Sequence, residues 1–184
     1  MNITVVLLNY NGEKLLKKFL PILNTHTKDS DIYIIDNNSI DNSIEYVKLN
    51  FPNVKFILLD KNYGFAEGYN KGLKNINADV FCLLNTDVEV TENWLDPIYK
   101  IFNNNDKISI AQPIILDYNN RNRFEYAGAA GGFIDFYGYP YCRGRIFDSI
   151  EENNDQYNNN KLIFWASGAC FFIRKNAWIR LKGF

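Results

Sequence analysis

The stretch Val80-Phe81-Cys82-Leu83-Leu84-Asn85-Thr86-Asp87 runs five apolar residues into an amide, a hydroxyl and a carboxylate. A short unbroken apolar run bounded by polar residues reads as a strand covered on both faces, the kind that parallel sheets contain. Three earlier stretches repeat the pattern: Thr4-Val5-Val6-Leu7-Leu8 into Asn9, Ile32-Tyr33-Ile34-Ile35 into Asp36, and Phe56-Ile57-Leu58-Leu59 into Asp60. Helix-like segments separate them, so the order from Ile3 to about Ile115 predicts successive βαβ units with right-handed crossovers. An open sheet of this class binds ligands outside the carboxyl ends of its strands. Each of the four polar stops falls on that edge. The expected class is α/β, a mostly parallel central sheet flanked by helices.

Glu13 to Leu23 predicts a helix with Leu15, Leu16, Phe19, Leu20 and Leu23 on one face. Asp41 is placed to cap a second helix carrying Ile44, Tyr46 and Val47, which Pro52 closes. A third begins near Gly64 and holds Phe65, Tyr69 and Leu73, with Gly64, Gly68 and Gly72 at every fourth position. Glycine costs a helix about 1 kcal/mol relative to alanine, so the row implies close backbone approach, either to a strand or to a ligand. A fourth helix is expected from Trp94 to Asn103 and a strand from Ile108 to Ile115. Beyond Asp117 the character changes, so the chain divides into residues 1–117 and a smaller lobe, residues 118–184, within one domain. That lobe holds a polar loop at 119–123, a small-residue stretch at 127–132 and an aromatic run from Phe133 to Tyr141. Its acidic and amide-rich run from Ser149 to Asn160 is expected to be mobile, and two strands are expected at Leu162-Ile163-Phe164-Trp165 and Ala169-Cys170-Phe171-Phe172-Ile173.

Composition narrows the function. With 184 residues, 47% of them hydrophobic, the chain is long enough for one sizeable core. Its 20 basic and 21 acidic residues are scattered, which leaves no basic stripe for nucleic acid. The three cysteines, Cys82, Cys142 and Cys170, are an odd number at wide spacing, which suits a reduced cytoplasm. The single histidine, His26, in an expected loop, rules out a His/Cys zinc site. No apolar run approaches the roughly 20 residues that span a bilayer, and Met1-Asn2-Ile3-Thr4 enters a strand directly. The expected location is the cytoplasm, with peripheral association at the inner face of the membrane as a variant. Neither the dinucleotide fingerprint nor a P-loop is present.

Two carboxylates stand out. Asp36, after four apolar residues and before a turn, is expected at the sheet edge with its side chain free to accept a base N–H. The competing reading is a turn or cap aspartate. Asp87 leaves the most apolar strand two residues past Asn85. A hard divalent cation, Mg2+ or Mn2+, takes oxygen ligands and keeps several waters, so one or two carboxylates plus phosphate oxygens suffice. Glu89 is a secondary ligand candidate.

Taken together, Leu8-Asn9-Tyr10-Asn11-Gly12, Ile35-Asp36-Asn37-Asn38-Ser39-Ile40-Asp41-Asn42-Ser43, Asn62-Tyr63-Gly64-Phe65-Ala66-Glu67-Gly68-Tyr69-Asn70-Lys71-Gly72 and Leu83-Leu84-Asn85-Thr86-Asp87-Val88-Glu89-Val90 resemble the family 2 glycosyltransferases, in particular the rhamnosyltransferase-like members. The resemblance covers residues 3 to 184. It implies a GT-A fold binding a nucleoside-diphosphate sugar donor, residues 1–117 being the donor half and 118–184 an incomplete acceptor-side lobe. By that analogy Asn9, Tyr10 and Asn11 line the base pocket and Asp36 bonds the base. Asn62, Gly64 and Asn70 flank the nucleoside and phosphates, with Asp60 orienting their loop. Asn85-Thr86-Asp87 occupies the family's Asp-x-Asp position, which makes Asp87 the principal metal ligand.

Trp165 to Arg174 and Leu181-Lys182-Gly183-Phe184 are similar to the family's acceptor-side segment, whose acidic continuation supplies the catalytic base. That base is therefore expected beyond Phe184, in a longer enzyme of which this chain is a truncated piece. The implied reaction is inverting sugar transfer to a glycan, polysaccharide or lipid-linked acceptor. The alternative function is a catalytically inactive nucleotide-sugar-binding module. Phe133, Phe136, Tyr137, Tyr139 and Tyr141 are read as a platform for acceptor sugar rings, a hydrophobic cover for the sheet, or a homodimer contact.

Overall fold

A computed structural model describes residues 1–184. Along the chain run β1 (Ile3–Asn9), α1 (Glu13–His26), β2 (Asp31–Asp36), α2 (Ser43–Asn50), β3 (Lys55–Leu58), α3 (Gly64–Gly72), a 3-10 turn (Leu73–Asn75), β4 (Val80–Leu84) and α4 (Asp96–Asn104). They are followed by β5 (Ile110–Ala111), β6 (Gly132–Ile134), β7 (Pro140–Cys142), β8 (Arg145–Ile146), β9 (Ser149–Ile150), β10 (Cys170–Arg174) and α5 (Lys175–Leu181). The chain packs as two units: Met1–Ser109 together with Phe172–Phe184, and Ile110–Phe171.

The first unit is built on strands in the order β3-β2-β1-β4-β10. The four apolar stretches are β1 to β4, and they pair in parallel, with Asn9 level with Asp36, Asp36 with Leu58, and Leu7 with Leu84. All five residues of β4 are buried, as an unbroken apolar run requires of a central parallel strand. Leu16, Phe19, Leu20 and Leu23 of α1 are buried. Leu15, expected on the same face, is 38% exposed. The helix also extends past Leu23, so that His26 closes it instead of lying in a loop.

The glycine row of α3 separates by position. A Cβ at Gly72 would sit 2.3 Å from Ile35 Cδ1, and one at Gly68 would sit 3.0 Å from Leu8 Cδ1 and Asn37 Nδ2. Those two glycines let the helix press on β1 and β2. Gly64 differs, for it takes φ +73 with open space where its Cβ would be, the left-handed conformation that glycine adopts without steric cost.

Two expected strands shrink or vanish. Ile108 to Ile115 yields only Ile110–Ala111, and Pro113, which has no N–H for a ladder, falls in the part that stays irregular. Leu162 to Trp165 forms no strand, only a single bridge from Trp165 to Gly132. The last strand does form, as β10. Its end is anchored to the first unit: the Lys175 amide donates to the Asp79 carbonyl at 2.9 Å, and the Phe172 ring meets Trp94 at 5.8 Å between centroids. Residues 172–184 therefore pack with residues 1–109, whereas the sequence reading groups them with the smaller lobe. A ladder between segments far apart in the chain leaves no local signal of its partner.

The second unit is an antiparallel meander, β6-β7-β8-β9, over a small core of Phe124, Ala129 and Ala130 with Leu116, Ile150 and Tyr157 against it. The run expected to be mobile contributes β9 and then folds back, with the Tyr157 hydroxyl donating to Glu151 at 2.9 Å and Gln156 Nε2 to the Glu152 carbonyl at 2.8 Å. Phe133 stacks on Tyr141 at 5.5 Å. Phe136, Tyr137 and Tyr139 are exposed, so these rings cover no sheet within this unit. No helix is long and apolar enough to cross a membrane.

Candidate functional site

Parallel register brings the four polar stops to one rim. Asn9 and Asp36 close adjacent strands at the same level. Asp60 lies two residues past the end of β3, and Asn85 follows the end of β4 directly. What joins the first two is a hydrogen bond, from Asn9 Nδ2 to Asp36 Oδ1 at 2.9 Å.

That bond belongs to a network the loop 37–43 builds. Asp36 Oδ1 also accepts from Ser39 Oγ at 2.6 Å, and Oδ2 accepts from the Ser39 amide at 2.9 Å. Asn9 Nδ2 lies 3.0 Å from Ser39 Oγ and 2.9 Å from Ser43 Oγ. Both serine hydroxyls spend their own protons on carboxylates, Ser39 on Asp36 and Ser43 on Asp41. Their lone pairs are thus left to accept from the amide. Asn9 and Asp36 are 1% and 4% exposed. The Asp36 side chain, expected to stand free at the sheet edge, is instead buried and braced within the rim, Oδ1 accepting two bonds and Oδ2 one. Asn9 Oδ1 is the one buried acceptor of the network without a donor.

Asp41 ties this network to the helices. Its Oδ2 accepts from the Glu13 amide at 2.9 Å, at the start of α1, while Oδ1 accepts from the Ser43 amide at 3.1 Å. Burial pushes the Asp41 carboxyl up, but the Ser43 hydroxyl and the Glu13 and Ser43 amides outweigh it and leave the group below its ordinary value. Asn11, at φ 51, donates its amide to Ser39 Oγ and accepts from the Ile40 amide, each at 2.9 Å. Tyr10 between them is exposed. Of the three expected base-pocket residues, Tyr10 presents an accessible side chain, Asn11 is exposed yet braced, and Asn9 is internal.

Asp60, Asn62 and Gly64 shape the turn into α3. Asn62 Oδ1 accepts from the Gly64 amide at 2.8 Å, and Asn37 grips the same turn from below, accepting from the Tyr63 amide at 3.1 Å and donating to the Gly64 carbonyl at 2.8 Å. The Tyr63 hydroxyl donates to Asp60 Oδ1 at 2.9 Å. That bond holds the Asp60 carboxyl below its usual range and the Tyr63 phenol above its own. Lys61 and Lys71 lie 5.0 and 4.4 Å from the Tyr63 ring centroid, so two cations border this turn. Asn70 is bonded elsewhere, for its Oδ1 accepts from the Phe184 amide at 3.0 Å and its Nδ2 donates to the Phe184 carbonyl at 3.3 Å.

On β4's side the chain turns at Asn85, whose carbonyl accepts from Val88 at 3.4 Å. Asp87 is exposed. No cluster of three or more His, Cys, Asp or Glu side chains gathers there or elsewhere. One open carboxylate with an amide oxygen two residues before it fits a cation that draws its other ligands from water and phosphate, and not one caged wholly by protein.

Sequence reading gave no role to Lys61 and Lys71 as charge, read Asp41 only as a helix cap, and passed over Asn37, Ser39 and Ser43 as scaffold. Their signal was present in the density of short polar side chains from Asp36 to Ser43, which bond to nearby backbone in preference to continuing a strand.

A parallel sheet with its polar stops on one rim, a glycine-opened helix start and an open carboxylate turn after β4 define a GT-A glycosyltransferase fold. Residues 4–182 match the sequence model of the family described as glycosyl transferase family 2, and the chain belongs to that family. It is 24% identical over 198 residues to the teichoic acid poly(glycerol phosphate) polymerase of Staphylococcus epidermidis, a match that covers 99% of this chain and 27% of that protein. Among solved structures it is similar to GalNAc-T7 with UDP, GalNAc and Mn2+ (TM-score 0.69, 19% identity, 98% of this chain and 36% of that one). It is also similar to the mannosyltransferase PcManGT of Pyrobaculum calidifontis in complex with GDP-Man and Mn2+ (TM-score 0.64, 11% identity, 100% and 47%). The chain spans less than half the length of each of these proteins.

Proposed function

We propose that this chain is the donor-binding part of an inverting glycosyltransferase that moves a sugar from a nucleoside diphosphate to a glycan, polysaccharide or lipid-linked acceptor. The observation that carries the reading is the exposed Asp87 on the turn that leaves β4, one strand over from the Asn9–Asp36 bond. A buried, hydrogen-bonded pair gives the rim rigidity, and the carboxylate of Asp87 beside it is open to a ligand. Tyr10 offers an exposed ring to a nucleobase. Lys61 and Lys71, beside the turn at Gly64, supply positive charge for phosphates. Asp87, with Asn85, holds the divalent cation, which when bound neutralises charge on the departing diphosphate.

In the reaction the acceptor hydroxyl loses its proton to a base, its oxygen bonds to the anomeric carbon, and the bond from that carbon to the diphosphate breaks. No residue of this chain is assigned as that base. The exposed rings of Tyr137 and Tyr139 support a sugar-bearing acceptor, since aromatic faces pack against apolar ring surfaces. The similar structures of GalNAc-T7 and PcManGT carry Mn2+ with UDP and GDP-Man respectively, which supports the same ligand class here.

Calorimetry tests the reading. Titrating UDP, dTDP or GDP with Mn2+ into the chain should give saturable binding for at least one nucleotide, and Asp87→Ala should weaken it by roughly tenfold or more. Equal affinity in wild type and variant, or no binding of any nucleoside diphosphate, removes the proposal.

A further inference from the structure

The end of α5 is shaped with more care than a helix terminus needs. The Lys182 amide donates to the Ile179 carbonyl and the Gly183 amide to the Trp178 carbonyl, each at 3.1 Å, the paired bonds that close a helix through a left-handed residue. Lys182 takes φ 64 and Gly183 takes φ 85, so two successive left-handed residues reverse the chain. Phe184 is thereby laid against α3. Its ring lies 5.0 Å from Trp178, 6.2 Å from Tyr69 and 5.7 Å from Phe65.

Asn70 receives the main chain of this turn. Its amide takes the Phe184 N–H on one side and supplies an N–H to the Phe184 carbonyl on the other. A side-chain amide carries one acceptor and one donor group in a plane, which matches the two backbone groups of a single residue. Alanine offers neither bond and aspartate only the first. Gly183 is fitted to the same contact, since a Cβ there would lie 2.0 Å from Asn70 Oδ1.

Both polar groups of Asn70 are engaged by Phe184 and not by the turn at the rim. Asn70 is six residues past Gly64, about 9 Å along an α-helix from the turn at the rim. The direction of the chain matters as well. β10 ends beside the start of β4, where Lys175 meets Asp79, so α5 begins at the amino edge of the sheet. After the reversal the Phe184 ring reaches Phe65, in the first turn of α3 next to the rim.

We infer that Asn70 is a positioning residue: its amide clamps the Phe184 main chain to α3 and sets the path by which the segment after α5 is led back toward the carboxyl rim. The inference deepens the donor-site reading above and rests on it for the meaning of the rim. It takes Asn70 out of the set of groups that touch the donor.

The test uses nuclear magnetic resonance on the 184-residue chain, with UDP and Mn2+ as the probe ligand. In wild type the Phe184 amide should exchange at least roughly tenfold more slowly than in a free peptide. Asn70→Ala should abolish that protection and shift the Trp178 indole signal while leaving UDP affinity within about threefold. Asn70→Asp, which keeps the acceptor for the Phe184 amide, should restore part of the protection. Loss of UDP affinity by tenfold or more in Asn70→Ala with Phe184 still protected overturns the inference. So does an unprotected Phe184 amide in wild type, a result that stands even if the variants fail to fold. A wild-type chain that binds no nucleoside diphosphate overturns the donor-site reading itself, and it is seen in the titration, not in the exchange rates.

Discussion

Asp41 serves two helices with one carboxylate, accepting from the first amide of α1 and from the amide and hydroxyl of Ser43 at the start of α2. Those bonds keep its folded-state pKa below the ordinary value, so the stability it contributes is present above the unfolded pKa and is lost as pH falls through the folded one. The window lies below about pH 4, the ordinary range of an aspartate. Asp41→Asn should cost about 1 kcal/mol at neutral pH and should flatten the acid limb of stability. Urea denaturation at neutral and acidic pH reads both effects; an unchanged acid slope would mean that Asp41 does not couple to folding. In the sequence Asp41 reads as a helix cap; the cap position falls one residue later, at Asn42, and Asp41 accepts the Ser43 amide from just outside the helix. The second helix it holds was not legible, because Glu13 is 28 residues away and nothing local marks the pairing. The same limit explains Asp36: the apolar run before it correctly placed it at a strand end, but whether a neighbouring strand would engage its carboxylate depended on Asn9 arriving at the same register.

At the scale of elements, α3 is the part of the fold whose sequence said most and resolved least. The spacing of Gly64, Gly68 and Gly72 showed that something approaches closely, but a periodic row cannot say which glycine faces a strand and which faces a gap. The structure divides them, with Gly72 against Ile35 and Gly64 in open space with a left-handed φ. Gly72→Ala should destabilise by about 1–3 kcal/mol through overpacking, despite the better helix propensity of alanine. Gly64→Ala should cost about 1–2 kcal/mol from backbone strain alone. Thermal melts with Ile35 methyl spectra separate the two, since only the Gly72 change should move the Ile35 signals. Undisturbed Ile35 methyls in Gly72→Ala would contradict the packing of α3 on β2.

For the molecule as a whole, the four apolar stretches made the parallel sheet legible before any coordinates, because a strand buried on both faces has few other ways to be written. The grouping of residues 172–184 with residues 1–109 was not legible, since β10 joins by a backbone ladder that any apolar strand could supply. The rim was legible as an edge and not as a site. Sequence order put Asn9, Asp36, Asp60 and Asp87 at strand ends, while burial sorted them into an internal pair and exposed groups. The central claim is that the open turn Asn85–Asp87 is where cation and nucleotide diphosphate meet. The most direct measurement is paramagnetic broadening by Mn2+ in an amide spectrum recorded with UDP present. Asn85, Thr86 and Asp87 should broaden first, with Tyr10 and Gly64 following, and Asp87→Ala should abolish the pattern. Broadening centred on other carboxylates, with those five amides unchanged at saturating UDP, would contradict it.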